Sequence, residues 1–438
     1  MSFKIQEKKL ENFKLTFLNR SSQLLAINIL LANFAYAARL VMPLLLLPLL
    51  SNRLSASSYG AYMYAMAVAQ WFGMLIEFGF NLSATRRISA ASDPIEVALI
   101  VAETQDARIT LAVFATMPAV AMLLWSPQFA LMPQWAGVAW LYGVLTGLVP
   151  QFYYQGTHRL RDVAIAELVG AVATLVLVTI FVDGLNQGVV LPVTILLPRL
   201  ITTIYLTFRM QRTLGKNRRA GFYTFVGARR SLFSGMSLFK FQIYASFYTS
   251  FNVIVAGYFF SSAEIGAYAS ADRIMRASLG FFNQISSAIF PKFVSMRASG
   301  NQALHKARLL VGLCMIGLGV AGAVALWFAA PVLVRLLFGD LHELTGEILR
   351  IQVAVLPAIA ISSVISFYFL LVEGQDRVLN RVILTAAVVN VPLCLYLIGH
   401  QGLKGGAISW VVVEWAISTI LSVIIFQQYK AAAVVISN

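Results

Sequence analysis

The sequence predicts an all-α polytopic membrane protein: twelve transmembrane helices arranged as two pseudo-symmetric six-helix bundles. Three observations lead there. Of 438 residues, 59% are hydrophobic and only 12% charged, and the mean hydropathy is +0.78, a composition outside the range of water-soluble globular chains. Apolar runs of about 20 residues recur along the whole length, each able to cross a ~30 Å hydrocarbon core at 1.5 Å per residue. They are too long and continuous for the alternating pattern of an outer-membrane barrel. Finally, the chain echoes itself. Ser55-Ala56-Ser57-Ser58-Tyr59-Gly60-Ala61-Tyr62 matches Ser261-Ser262-Ala263-Glu264-Ile265-Gly266-Ala267-Tyr268, and each copy joins the first two helices of a half.

The helices are expected at 21–50, 58–80, 107–125, 132–154, 163–182 and 188–208 in the first half, and at 235–260, 265–290, 309–330, 346–371, 378–398 and 405–427 in the second. A weaker echo pairs Gly156-Thr157-His158-Arg159 with Gly374-Gln375-Asp376-Arg377, between the fourth and fifth helix of each half. Six helices separate the copies, so both halves have the same orientation, related by an axis along the membrane normal. Two such bundles facing each other across a midline cavity form an alternating-access architecture. The organisation reads as an amphipathic N-terminus (1–20), an N-terminal bundle (21–210), a basic linker (211–234), a C-terminal bundle (235–428) and a tail (429–438).

Charge sets the orientation. With the N-terminus in the cytoplasm, 24 of the 33 Lys and Arg residues fall in cytoplasmic segments or, for Arg108 and Arg381, in the first turn of a helix entering from that side, while only Arg53, Arg335 and Lys404 fall in outer loops. The net charge of +15 is therefore mostly a topology signal and not a nucleic-acid footprint. The cluster Arg209, Arg212, Lys216, Arg218, Arg219, Arg229 and Arg230 reads as a topogenic linker that also favours anionic lipid. In the first 20 residues Phe3, Leu10, Phe13 and Phe17 recur at helical spacing among lysines, which fits a helix on the inner membrane surface better than a signal peptide.

Soluble-enzyme chemistry is not encoded in recognisable form. The chain has no G-x-x-x-x-G-K-[ST], no H-E-x-x-H, no G-x-S-x-G and no metal-spaced His cluster. Cys314 and Cys394 both sit inside apolar runs, which argues against a disulfide framework or a cysteine metal site. The glycines between Gly312 and Gly322 suit close helix packing.

Charges within helices are the informative residues, because lipid excludes them and a bundle interior or wet cavity accepts them. In the first helix Asn28, Tyr36 and Arg39 share one polar stripe, and Pro43 and Pro48 suggest a bend beyond it. In the seventh, Lys240, Tyr244, Tyr248 and Asn252 recur every four residues, a face suited to a phosphorylated sugar, with rings to stack on pyranose faces. In the eighth, Asp272 and Arg276 form an i, i+4 pair and leave Arg273 without that partner. Both arginines lie about 12 to 17 Å from the outer interface by helical rise. Glu77, Glu167 and Glu414 are the remaining candidates: Glu77 as an ion-pair partner for Arg86 or Arg87, and Glu414 as a carboxylate that titrates or pairs with an intramembrane arginine. Cations outnumber deep carboxylates, so a cavity lined by them would attract an anion, and arginine's planar fork suits phosphate.

Several segments resemble a known family. Pro43, Pro48, Leu54, Tyr59-Gly60-Ala61-Tyr62 and Glu77-Phe78-Gly79 through Thr85-Arg86-Arg87 resemble the N-terminal signature of polysaccharide-biosynthesis flippases. Glu264-Ile265-Gly266-Ala267-Tyr268, Asp272-Arg273, Phe290-Pro291-Lys292, Asn390 and Gly402 to Ala407 resemble later segments of the same family. This is the O-antigen and exopolysaccharide (Wzx-type) branch of the multidrug, oligosaccharidyl-lipid and polysaccharide exporters. The resemblance implies a V-shaped, MATE-like alternating-access transporter of the bacterial cytoplasmic (inner) membrane with both termini cytoplasmic. It implies translocation of undecaprenyl-diphosphate-linked oligosaccharides from the inner to the outer leaflet, with membrane lipids, a polysaccharide polymerase and a chain-length regulator as partners. No organic cofactor is implied, and proton or cation coupling stays open. Arg39 and Arg273 match positions at which related flippases carry functional arginines. Rival readings are an ion-coupled multidrug antiporter, expected to carry a carboxylate where the first helix has Arg39, a lipid II flippase, which commonly has two further helices, and a polysaccharide polymerase or ligase, which needs a large outer loop.

Overall fold

The computed structural model describes residues 42, 44–183, 188–215, 225–298, 304–338 and 342–437. Among these residues every regular element is a helix. In chain order they are α1 (Leu44–Arg53), α2 (Ala56–Glu77), α3 (Phe80–Ala90), α4 (Pro94–Phe114), α5 (Thr116–Trp125), α6 (Pro127–Leu131), α7 (Gln134–Leu148), α8 (Gln151–Gly156), α9 (Leu160–Phe181) and α10 (Val190–Leu214). The second half supplies α11 (Phe225–Thr249), α12 (Phe251–Phe259), α13 (Ser262–Ala298), α14 (Leu304–Phe338), α15 (His342–Gln352), α16 (Val355–Val364) with a π-helical turn over Ile365–Leu370, α17 (Asp376–Gln401) and α18 (Leu403–Ser437). Eight of the described helical segments are long and apolar enough to cross a membrane.

The expected spans from the second to the twelfth each coincide with a helix or a broken pair of helices, and the breaks have local causes. Between α2 and α3, Phe78 (φ 49°) and Gly79 (φ 75°) adopt left-handed backbone. The Glu77 carboxylate then accepts the Gly79 and Asn81 amides at 3.2 and 2.7 Å, filling the place of an N-terminal cap. Between α7 and α8, Pro150 cannot continue the helix. The buried Arg108 guanidinium donates to the Leu148 and Val149 carbonyls at 3.4 and 2.9 Å, so the freed acceptors are satisfied. Between α11 and α12, Arg276 Nη2 donates to the Thr249 carbonyl at 2.6 Å.

α3, α13, α14 and α18 run on past their expected ends, to Ala90, Ala298, Phe338 and Ser437, and two helix starts lie well before the expected ones. The third span starts at Pro94 and not at 107, because Glu103, Thr104 and Arg108 are polar yet buried, which hides a helix from a reading by hydropathy. The seventh starts at Phe225, inside the expected 211–234 linker, because Gly227, Ala228, Ser231 and Gly235 form a small-residue face buried against the first half. Phe239 stacks on Phe78 with centroids 4.1 Å apart. Glu103 of α4 ties Arg87 of α3 and Arg230 of α11 at 2.6 and 3.1 Å.

The two copies of the internal repeat meet. α2 packs on α13 so closely that a Cβ on Gly60 would lie 1.6 Å from the Ser262 carbonyl oxygen, and one on Gly266 3.0 Å from Gly60 Cα. Tyr59 hydroxyl and Ser270 Oγ lie 2.7 Å apart across this seam. Gln128 of α6 donates to the Phe260 carbonyl at 2.8 Å and accepts from Ser262 at 2.6 Å. The end of the molecule that carries the α1–α2 and α12–α13 connections is thus closed by glycine packing and a rim of hydrogen bonds.

Candidate functional site

Away from that seam the halves part around a cavity of two adjoining chambers, about 430 and 250 Å³, lined by apolar, polar and charged side chains. Gln70, Thr146, Glu167 and Arg199 line both chambers. α2 contributes one helical face, Tyr62, Met66, Gln70, Gly73 and Glu77, at spacings of three and four that keep side chains in register. α7 adds Tyr142 and Thr146, α9 adds Glu167 and Thr174, and α10 adds Ile195, Arg199 and Thr202. Arg273 reaches the larger chamber from α13 of the other half, and Met42 and, from α1, Leu46 border it as well.

The charges are unevenly distributed. Arg199 Nη1 donates to both Glu167 carboxylate oxygens at 2.9 and 2.8 Å, and its guanidinium lies over the Tyr142 ring at 5.7 Å. Arg273 lies over the Tyr62 ring at 5.9 Å, and among the described residues no carboxylate forms an ion pair with it. The larger chamber thus holds two arginines and one glutamate, while the smaller holds Glu77, Glu167 and the shared Arg199. An anion is favoured at the Arg273 end and disfavoured at the Glu77 end.

Of the residues singled out in the sequence, Asn28, Tyr36 and Arg39 lie outside the described residues. Arg273 lines the cavity. Arg276 is held instead by Asp272, Nε to Oδ2 at 2.6 Å and Nη2 to Oδ1 at 3.1 Å, and by the Thr249 carbonyl. The seventh-helix stripe is corrected: Lys240 is exposed, Tyr244 half-buried, and Tyr248 and Asn252 are buried. Gln242, Ser246 and Ser250 face the cavity in their place. That stripe is displaced by two residues, about 200° around the helix. Two polar stripes interleave here, and the one with the aromatic rings went to the core, where ring area is removed from solvent and lipid. Asn252 donates to the Gly406 carbonyl at 2.9 Å and accepts from Asn390 at 3.1 Å. Glu77 does not pair with Arg86 or Arg87; it caps α3, and Arg87 pairs with Glu103. Glu414 is buried, and the Trp410 indole N–H donates to it at 3.3 Å. Sequence reasoning did not pair Arg199 with Glu167, although opposite charges within consecutive expected spans were the signal.

A family model described as polysaccharide biosynthesis protein matches residues 12–297. Two relatives, both named for O-antigen transport, are 25% identical over 87% of this chain and 95% of the Shigella dysenteriae protein, and 23% identical over 90% of this chain and 95% of the Escherichia coli (strain K12) protein. Among solved structures, an inward-facing multidrug resistance MATE transporter of the MOP superfamily superposes with a TM-score of 0.67 at 15% identity, covering 92% of this chain and 94% of its own. The lipid II flippase MurJ in an inward closed conformation gives 0.67 at 13% identity, covering 90% and 86%. These likenesses show that the chain has the fold of those transporters. With a model match across most of its length and the cavity between its halves, the chain belongs to the polysaccharide biosynthesis protein family.

Proposed function

We propose that this protein is a flippase that carries undecaprenyl-diphosphate-linked oligosaccharide repeat units from the inner to the outer leaflet of the bacterial cytoplasmic membrane, for O-antigen or exopolysaccharide assembly. One observation carries the reading: Arg273, with no carboxylate partner among the described residues, projects from the second half into a cavity walled by the first. A guanidinium at membrane depth with an aromatic ring beside it but no carboxylate still favours water or an anion in the cavity. A diphosphate supplies oxygens for its fork. The remaining lining suits a glycan: Gln70, Thr146, Gln242 and Ser246 offer donors and acceptors for hydroxyls, and Trp71 and Tyr142 offer ring faces for sugars. The prenyl tail stays in the bilayer throughout.

The transport cycle follows from the seam. With the Gly60–Gly266 end closed, the cavity loads from the opposite end, where the basic residues of α3 and α11 face the side expected to be cytoplasmic. Separation of α2 from α13 and closure of the far end would release the headgroup outward. The names of both relatives support the substrate class. The multidrug-antiporter rival has only the shared fold in its favour, and fold alone does not assign cargo.

The test is complementation of a strain lacking the protein. Arg273→Ala is expected to abolish surface glycan at unchanged membrane abundance, and Arg273→Lys to recover only part, since a point charge cannot bond phosphate bidentately. Normal display by Arg273→Ala overturns the proposal.

A further inference from the structure

The larger chamber contains a second guanidinium that is already engaged. Arg199 uses one terminal nitrogen, Nη1, for both oxygens of Glu167, while its Nε is buried without any hydrogen-bond partner. The pair is therefore incompletely satisfied: an arginine can offer a carboxylate two parallel donors, and here only one nitrogen is used. Side-chain exposures of 11% for Arg199 and 16% for Glu167 put both within a low-dielectric wall and at the cavity surface. Arg273 lines the same chamber. With Glu167 in place, Arg199 is neutralised and Arg273 is the net charge of the chamber; with Glu167 displaced, two arginines face one space.

We propose that Glu167 is a resident counter-ion: it occupies Arg199 in the empty cavity, and the incoming diphosphate of a lipid-linked substrate displaces it, so that Arg199 becomes the second cationic arm of the site beside Arg273. The proposal rests on the flippase reading and refines it. The counter-ion neutralises Arg199 in the empty cavity, so that Arg273 alone among the described cavity arginines stands there without a carboxylate, and it makes capture depend on a ligand with enough charge to compete with a carboxylate. A singly charged headgroup satisfies Arg273 and leaves the Arg199–Glu167 pair intact; a diphosphate has charge and oxygens for both. Removing the counter-ion is then expected to strengthen diphosphate binding, although Glu167 is itself a cavity residue.

The experiment is binding of geranyl diphosphate, a short soluble prenyl diphosphate, to the purified full-length protein in detergent, by calorimetry. Glu167→Gln keeps the shape and removes the charge; it is expected to bind roughly tenfold more tightly than wild type, the equivalent of one charge-assisted hydrogen bond no longer contested. Arg199→Gln is expected to bind more weakly, and Glu167→Gln combined with Arg199→Gln to show no gain over Arg199→Gln alone. Arg199→Lys covers the case in which Glu167→Gln does not fold: a lysine cannot present the forked donors and is expected to lose affinity. The inference is overturned by a folded Glu167→Gln protein with unchanged or weaker affinity, by a gain that persists without Arg199, by wild-type affinity in Arg199→Lys, or by wild type and Glu167→Gln both ignoring the probe. Failure of the flippase reading is separate: it appears as normal glycan display by Arg273→Ala, whereas loss of that display together with an inert Glu167→Gln removes the counter-ion role alone.

Discussion

In the N-terminal half, the charged pair Arg199–Glu167 borders the cavity and leaves a donor unused; in the C-terminal half, the buried polar groups bond mostly to one another and to backbone. Asp272 and Arg276 bond each other and the α11 break, Asn390 bonds Asn252 and the Phe247 carbonyl at 3.2 Å, Asn252 reaches Gly406 and Ser409, and Glu414 accepts from Trp410. Two bundles with one ancestry of pattern thus use buried polarity differently: the first presents a recognition wall, the second is a braced frame that contributes Arg273 across the gap. The internal repeat itself serves neither purpose, since its glycines form the seam that joins the halves.

The largest effect is expected at that seam. Gly60→Ala places a methyl 1.6 Å from the Ser262 oxygen, a clash that costs about 3 kcal/mol or more unless the halves separate, so surface glycan should vanish. Gly137→Ala, with nothing within 4 Å of the new atom, should be silent in the same complementation assay. Display retained by Gly60→Ala would mean that the closed end is not part of the cycle.

Next is the frame. Arg276→Leu strands the buried Asp272 and is expected to lower stability by about 2 kcal/mol, discounted from a fully buried pair because the Arg276 side chain is 29% exposed. Replacing Asp272 and Arg276 together by leucine should recover most of the thermal midpoint in detergent, and transport with it. A double variant that is stable but inactive would move Arg276 from the frame to the recognition wall. Asn252→Leu is expected to be milder, about 1 kcal/mol, because the Gly406 carbonyl keeps the Ser409 hydroxyl and the Asn390 amide keeps the Phe247 carbonyl when the Asn252 bonds are lost. The smallest effects distinguish the two stripes of α11: Lys240→Gln should change stability by less than about 0.5 kcal/mol and leave glycan display intact, whereas Gln242→Leu, on the cavity face, should reduce display.

How much of this was legible in the sequence differs by residue. Helix positions were, because each apolar run has one physical reading in lipid. So was the Asp272–Arg276 pair, since i, i+4 spacing fixes contact within a helix whatever surrounds it. The contact of Gly60 with Gly266 was visible only as a repeat; that two copies of one motif meet at a symmetry axis needed the packed halves. The direction of α11 was not legible, because periodicity groups residues into faces without saying which face meets a cavity, and Lys240 to Asn252 and Gln242 to Ser250 are equally periodic. Glu77 misled for a related reason. A carboxylate two residues before Gly79 has backbone amides nearer than any arginine, but only the left-handed turn at Phe78 and Gly79 turns them toward it.

In the proposed cycle a guanidinium from one half, set in a cavity of the other, draws a lipid diphosphate across the bilayer. This step is tested most directly by purified protein in proteoliposomes carrying a fluorescent prenyl-diphosphate-linked sugar, with movement read by quenching of the outer leaflet. Transfer is expected by wild type, none above protein-free vesicles by folded Arg273→Ala, and none of the sugar on a neutral prenyl alcohol. Equal transfer by wild type and Arg273→Ala would contradict this step.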